Sequence, residues 1–219
     1  MNIGIKDVLY KVRFFFIPYL ILIALCLVIK LTHTREEIYF AVNARNWTWA
    51  DAIAQCITDI GDGWTTITIS LILLLFSYRK AFVLAGSYAL ASGVAAQGLK
   101  FLFDAPRPKL YFHDQLSRIH FVKGIDQLSY HSFPSGHTIT AFSTTIIIAY
   151  WANNKFWGFP LLLLAMLVGY SRMYLSQHFF EDVTAGSVIG VLVTVIWLWW
   201  TENRQFLKSP KWDKGLLKR

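Results

Sequence analysis

From Phe14 to Leu31 the chain carries a single charge, Lys30, among apolar and aromatic residues. Such a run can cross about 30 Å of hydrocarbon as a helix, since a span needs about 20 apolar residues at 1.5 Å each. Five more runs follow: Trp64 to Tyr78, Ala81 to Phe103, Thr138 to Ala152, Phe156 to Leu175, and Phe179 to Trp200. Only 16% of residues are charged and 55% are hydrophobic, against roughly 25% charged in soluble domains. The expected fold is therefore all-α, an integral membrane bundle of six transmembrane helices. The mixed segment from Thr34 to Gly63, with Trp47 and Trp49 beside acidic residues, predicts short interfacial helices.

The N-terminus begins with Lys6, Lys11 and Arg13 before a run too long for a signal-peptide core, so the first span is expected to be retained. A net charge of +8 falls mostly between apolar runs, without the basic and aromatic interleaving of a nucleic-acid binder. Six spans put both termini on one side with 12 Lys/Arg and 3 Asp/Glu, leaving 9 and 10 on the other. The positive-inside rule then makes both termini cytoplasmic. Residues 1–219 are expected to form a single transmembrane domain, with 202–219 as a basic, solvated cytoplasmic tail. Cys26 and Cys56 have no partners at metal-ligand spacing. Ala85, Ala89 and Gly93 on the third span, and Gly186 and Gly190 on the last, have the four-residue spacing of close helix packing.

Three polar clusters lie at helix ends on the non-cytoplasmic side. In KFLFDAPRP, Lys100 ends an apolar helix, and Pro106 and Pro108 hold Arg107 extended. In SFPSGHT, Pro134 suits a first helical position, and Ser135 and Gly136 offer backbone N–H groups to an anion with His137 beside them. In SRMYLSQHFFED, His178 and Asp182 are four apart at the start of the last span, on one helical face, with Arg172 upstream. A carboxylate there can fix the imidazole tautomer and leave the other nitrogen free as a nucleophile. Three cations, a helix-start anion cradle, two histidines and one carboxylate suit phosphoryl transfer. Between clusters, Arg118, His120, Lys123 and His131 are either contacts to a second phosphate or solvated loop residues.

Lysine, six residues and Arg-Pro, then Pro-Ser-Gly-His, then Ser-Arg, five residues, His, three residues and Asp, resembles the type 2 phosphatidic acid phosphatase family. All three motifs are complete and in the family's order from Lys100 to Asp182. The resemblance implies a six-helix membrane phosphatase that needs no metal and no cofactor. It makes His178 the nucleophile, Asp182 its orienting partner and His137 the general acid. Lys100, Arg107, Ser135, Gly136 and Arg172 would bind the phosphate. The expected partners are a lipid phosphate substrate and the bilayer, with no nucleic acid and no obligate protein partner. The expected location is a bacterial inner membrane with the site facing the periplasm. A lipid-to-lipid phosphotransferase, a vanadate-dependent peroxidase and a headgroup-binding protein share parts of this pattern.

Overall fold

Each apolar run becomes a helix in the computed structural model, which describes residues 3–217, and no strand forms among them. In order the helices are α1 (Ile5–Lys11), α2 (Arg13–Thr32), α3 (Arg35–Asn43), α4 (Thr48–Ile60), α5 (Gly63–Phe76) and α6 (Tyr78–Tyr88). A π-helical stretch, Ala89–Ala96, joins α6 to α7 (Gln97–Phe103). A short α8 (Pro108–Tyr111) is followed by α9 (Gly136–Trp151), α10 (Gly158–Tyr174) and α11 (Phe180–Glu202). Thr34 begins α3 as a capping box with Glu37, and Asp62 caps α5 at the Trp64 N–H. The segment between the first two runs thus folds as two short helices, α3 and α4.

Among the described residues four helical stretches are long and apolar enough to cross a membrane: Arg13–Thr32, Tyr78–Tyr111, Lys155–Tyr174 and Phe180–Glu202. Counting α4 and α5, bent by 47° where they meet, as one broken span gives a fifth. The run from Thr138 to Ala152 forms α9, whose 16 residues rise only about 24 Å. Its surroundings explain that brevity: twelve of its residues are buried and it packs against α10, α11, α5 and α6. A helix sheathed by protein need not match the lipid. Hydroxyl pairs bind it to its neighbours: Ser92 with Thr140 at 2.8 Å, Ser87 with Ser143 at 2.8 Å, and Thr66 with Thr144 at 2.9 Å.

The seam between α9 and α11 depends on Gly186 and Gly190, as their spacing suggested. A Cβ on Gly186 would stand 2.8 Å from the Ser135 carbonyl oxygen, and one on Gly190 would stand 2.8 Å from that of Ile139. The other small-residue stripe is a correction, because Ala85, Ala89 and Gly93 are exposed, with nothing within 4 Å of a Cβ on Gly93. Gly86 is the small residue that lets α6 approach, under the Trp197 ring. Four-residue spacing shows that residues share a face, not which face is buried.

Ion pairs fix the two ends of the bundle. Lys30 and Arg35 hold Glu181 at 3.5 and 2.5 Å, where α2 ends beside the start of α11. Arg79 holds Glu202 at 2.9 Å at the opposite end. The C-terminal segment is not free in solvent. The Tyr78 and Arg79 N–H groups donate to the carbonyls of Lys214 and Trp212, both at 2.8 Å, and Leu207 is fully buried. The last two residues of the expected tail, 218–219, lie outside the described residues.

Candidate active site

Arg107 is placed by its backbone before its side chain. Its N–H donates to the Ser129 carbonyl (2.8 Å), and the Ser132 N–H donates to that of Ala105 (2.9 Å). Residues 105–107 therefore run beside 129–132, with Pro108 opening α8. The guanidinium, only 5% exposed, donates through Nε to the Tyr130 carbonyl at 2.9 Å. Its Nη1 reaches the Gln177 carbonyl and Oε1, both at 3.1 Å. Arg172, on the last turn of α10, donates to Thr58 Oγ1 at 2.7 Å and lies 3.5 Å from the same Gln177 oxygen. Its buried Nε has no protein partner. One amide thus sits between two buried guanidiniums.

The start of α9 differs from expectation by two positions. Ser135 is the N-cap, its Oγ accepting from the Thr138 N–H (3.5 Å) and Oγ1 (2.9 Å). Gly136 is the first helical residue and Pro134 precedes the cap. A Cβ on Gly136 would lie 3.7 Å from Lys100 Nζ, so the lysine stands over the opening of this helix. His137 follows in the first turn.

His178 and Asp182 are near one another, though not through a shared helical face. The helix α11 begins at Phe180, leaving His178 in the preceding loop, where its N–H donates to the Arg172 carbonyl at 3.2 Å. The reason is a cap: Asp182 Oδ2 accepts the Phe179 N–H at 2.8 Å and turns the chain just ahead of the helix. The same oxygen accepts Ser132 Oγ at 2.5 Å. His178 Nδ1 lies 3.5 Å from Oδ2, too long and poorly aligned for a hydrogen bond. Burial lowers the His178 pKa well below the ordinary 6.5, and the charges of Arg107, Arg172 and Lys100 lower it further. Both influences favour the neutral imidazole, which keeps one nitrogen unprotonated.

Of the residues singled out in the sequence, Lys100, Arg107, Ser135, Gly136, His137, Arg172, His178 and Asp182 meet here. A cleft of about 400 Å³ opens beside them, lined by Lys100, Arg107, Phe101, Tyr130 and His131. His131 also pairs with Asp104 at 3.1 Å. Arg118 instead lies over the Phe40 ring at 4.8 Å and bonds Gln115, and Lys123 faces solvent. Neither lines the cleft. His120 is held by Asp51 at 3.0 Å, which also takes the Tyr174 hydroxyl at 2.6 Å. Sequence reasoning missed Ser132, Gln177 and Thr58. Each is polar and nearly fully buried; Ser132 opens the SFPSGHT string and Gln177 directly precedes His178, whereas Thr58 stands near no motif. Among the described residues no three His, Cys, Asp or Glu cluster as a metal site.

The pattern of the PAP2 superfamily matches residues 80–206, more than half of the chain. The chain belongs to the PAP2 superfamily. Among its PAP2 relatives, a lipid A 4'-phosphatase of Porphyromonas gingivalis is 26% identical over 141 residues, covering 59% of this chain and 58% of that one. Lipid phosphate phosphatase 1 of Arabidopsis thaliana is 29% identical over 151 residues, covering 58% and 44%. The chain thus spans about half the length of the curated relatives it matches. Among solved PAP2 structures, Aquifex aeolicus LpxE superposes with a TM-score of 0.64 at 26% identity, covering 74% of this chain and 93% of that one. A PAP2-type phosphatidylglycerolphosphate phosphatase of Bacillus subtilis gives 0.63 at 24% identity, covering 90% and 99%. That second likeness speaks for the fold alone.

Proposed function

We propose that this chain is a multi-pass membrane enzyme that removes phosphate from a lipid phosphate or diphosphate through a phosphohistidine at His178. The observation that carries the reading is a buried His178 3.5 Å from the Asp182 carboxylate, in the loop where Gln177 joins the Arg107 and Arg172 guanidiniums. The names of its PAP2 relatives support a lipid phosphate as the substrate class. In the proposed topology residues 1–219 are one domain with six spans, and both termini are cytoplasmic. The site then faces the periplasm of a bacterial inner membrane. No cofactor or metal enters the scheme.

The free imidazole nitrogen of His178 donates its electron pair to phosphorus. The bond from phosphorus to the leaving oxygen breaks in line, and that oxygen takes a proton from His137. The substrate's own negative charge favours the protonated form of His137 needed for this step. Lys100, Arg107 and Arg172 neutralise the equatorial oxygens, with the N–H groups at the start of α9. Asp182 stabilises the positive imidazole as its contact with Nδ1 shortens in the complex. Water then gives a proton to His137, attacks phosphorus and breaks the phosphorus–nitrogen bond.

The test is rapid quenching of purified protein with a ³²P-labelled lipid phosphate in excess EDTA. The reading expects free phosphate and an acid-labile, base-stable label on the protein. Phosphate release that stops with chelation, or turnover without any label, sinks it. Label passed to a second lipid rather than to water makes the enzyme a phosphotransferase. In sealed right-side-out vesicles, externally added soluble lysolipid phosphate should be hydrolysed without permeabilisation.

Gln177→Leu removes the acceptor between Arg107 and Arg172 and leaves two buried guanidiniums short of a partner. The expected result is a KM about tenfold higher with a smaller change in kcat, because ground-state phosphate binding suffers most. Steady-state kinetics in mixed micelles separates the two parameters.

A further inference from the structure

Far from His178, at the end of the bundle marked by Arg79 and Glu202, a groove of about 610 Å³ runs between α5, α6 and the C-terminal segment. Its walls include Ile67, Leu71 and Leu74 on α5 and Ala85 on α6. The Ser70 hydroxyl donates its proton to the Thr66 carbonyl at 2.8 Å, so it has no proton left to donate to an occupant. Tyr78, Lys211 and Trp212 line one end and Tyr88 the other, and Lys211 is the one charged residue of the lining.

The Lys211 end is a built feature. The Trp212 and Lys214 carbonyls accept from the Arg79 and Tyr78 N–H groups, and Trp212 packs against Phe82 and Phe206 with ring centroids 5.4 and 5.6 Å away. The segment that follows Lys211 is thereby tied to α6, and the Leu216 N–H ties it to the Leu74 carbonyl of α5 at 3.1 Å. Along α6 the lining runs from Tyr78 to Tyr88, about 15 Å of helix, which is half the hydrocarbon thickness of a bilayer. The groove is one leaflet deep. Exposed Lys80, Lys208 and Lys214 add positive charge at the same end, where anionic lipid headgroups are attracted.

We propose that this groove retains one acyl chain of an anionic glycerophospholipid, with the lipid phosphate against Lys211. Shape selects a chain, since the walls are apolar over a leaflet's depth, and charge selects the headgroup. The site is separate from the catalytic cations and from whatever lipid they process.

Native mass spectrometry of the full chain in detergent tests this, with equimolar phosphatidylglycerol and phosphatidylcholine and millimolar inorganic phosphate to occupy the catalytic cations. One phosphatidylglycerol should be retained at least about fivefold over phosphatidylcholine. Ala85→Trp, which fills the groove from an exposed position, should remove it, and Leu71→Trp should do the same. Lys211→Glu should bring the headgroup preference to about one. Phosphate release and the unfolding midpoint should stay near wild type in all three, which separates this idea from the catalytic reading. Equal retention of both lipids by the wild type means annular lipid only, and undiminished phosphatidylglycerol in both tryptophan variants overturns the site. A dimer that Ala85→Trp dissociates assigns the groove to a second copy of the chain instead.

Discussion

His178→Ala is expected to lower turnover by roughly 10⁴-fold or more, with the folded state intact. In the proposed mechanism no other residue near the three cations can replace its lone pair, since His137 is assigned to the proton. The side chain is 2% exposed and makes no hydrogen bond through Nδ1, so truncation leaves no orphaned donor on a neighbour. Because the imidazole is buried, its truncation leaves a cavity, and a modest loss of stability is the expected side effect. The same environment fixes the direction of its titration. Its pKa is depressed in the folded chain, so the neutral form persists as pH falls through the ordinary value near 6.5, and is lost only well below it. The unfolded chain binds the proton first, so this group's contribution to stability is complete above about pH 6.5 and declines below it. Histidine NMR on ¹⁵N-labelled protein should show His178 neutral at about pH 5.5, where an exposed imidazole is mostly charged. A signal titrating near 6.5 would show that burial and the cations do not depress this group, and turnover within tenfold of wild type in His178→Ala removes His178 from the role of nucleophile.

Much of this was legible because it is written in residue type and spacing. Apolar runs announced the helices, and Gly186 and Gly190 announced the α9–α11 seam. Three short motifs named the eight residues that gather at one end of the bundle. Their assembly could not be read so directly. His178 and Asp182 look like a helical i, i+4 pair, yet the carboxylate is occupied in capping Phe179, which ends the helix short of the histidine. Spacing reports a face only if both residues are already helical. Ser132, Gln177 and Thr58 escaped because a lone buried polar residue has no periodic signature. Its significance comes from what lies across the bundle: Asp182 for Ser132, and two guanidiniums for Gln177. The C-terminal segment was misjudged for a related reason. Its basic composition suits solvent, while the backbone hydrogen bonds that hold it against Tyr78 and Arg79 leave no mark on sequence.

Gly190→Leu is expected to destabilise the protein by about 3 kcal/mol, a fall of about 10 °C in the unfolding midpoint. A Cβ at this position lies 2.8 Å from the Ile139 carbonyl oxygen and 3.2 Å from Phe142 Cβ. The nearest obstacle is backbone, so no rotamer change can relieve it, and α9 and α11 must move apart. The gentler Gly186→Ala separates stability from catalysis. Its new methyl would stand 2.8 Å from the Ser135 carbonyl, one turn along α11 from Asp182, whose own carbonyl accepts the Ser135 N–H at 3.0 Å. Moving that contact shifts the start of α9, and Gly136 and His137 go with it. A displacement near 1 Å costs about 10²-fold in rate when reacting groups are held for attack. Turnover should therefore fall by about that factor while the midpoint drops only a few degrees. Gly93→Ala is the control, since nothing lies within 4 Å of its Cβ and its effect should stay within about 0.5 kcal/mol. Thermal unfolding in detergent and single-turnover kinetics on the three variants decide the matter. If Gly186→Ala keeps both wild-type turnover and midpoint, the seam does not set the geometry of the phosphate cradle, and the close approach of α9 and α11 serves packing alone.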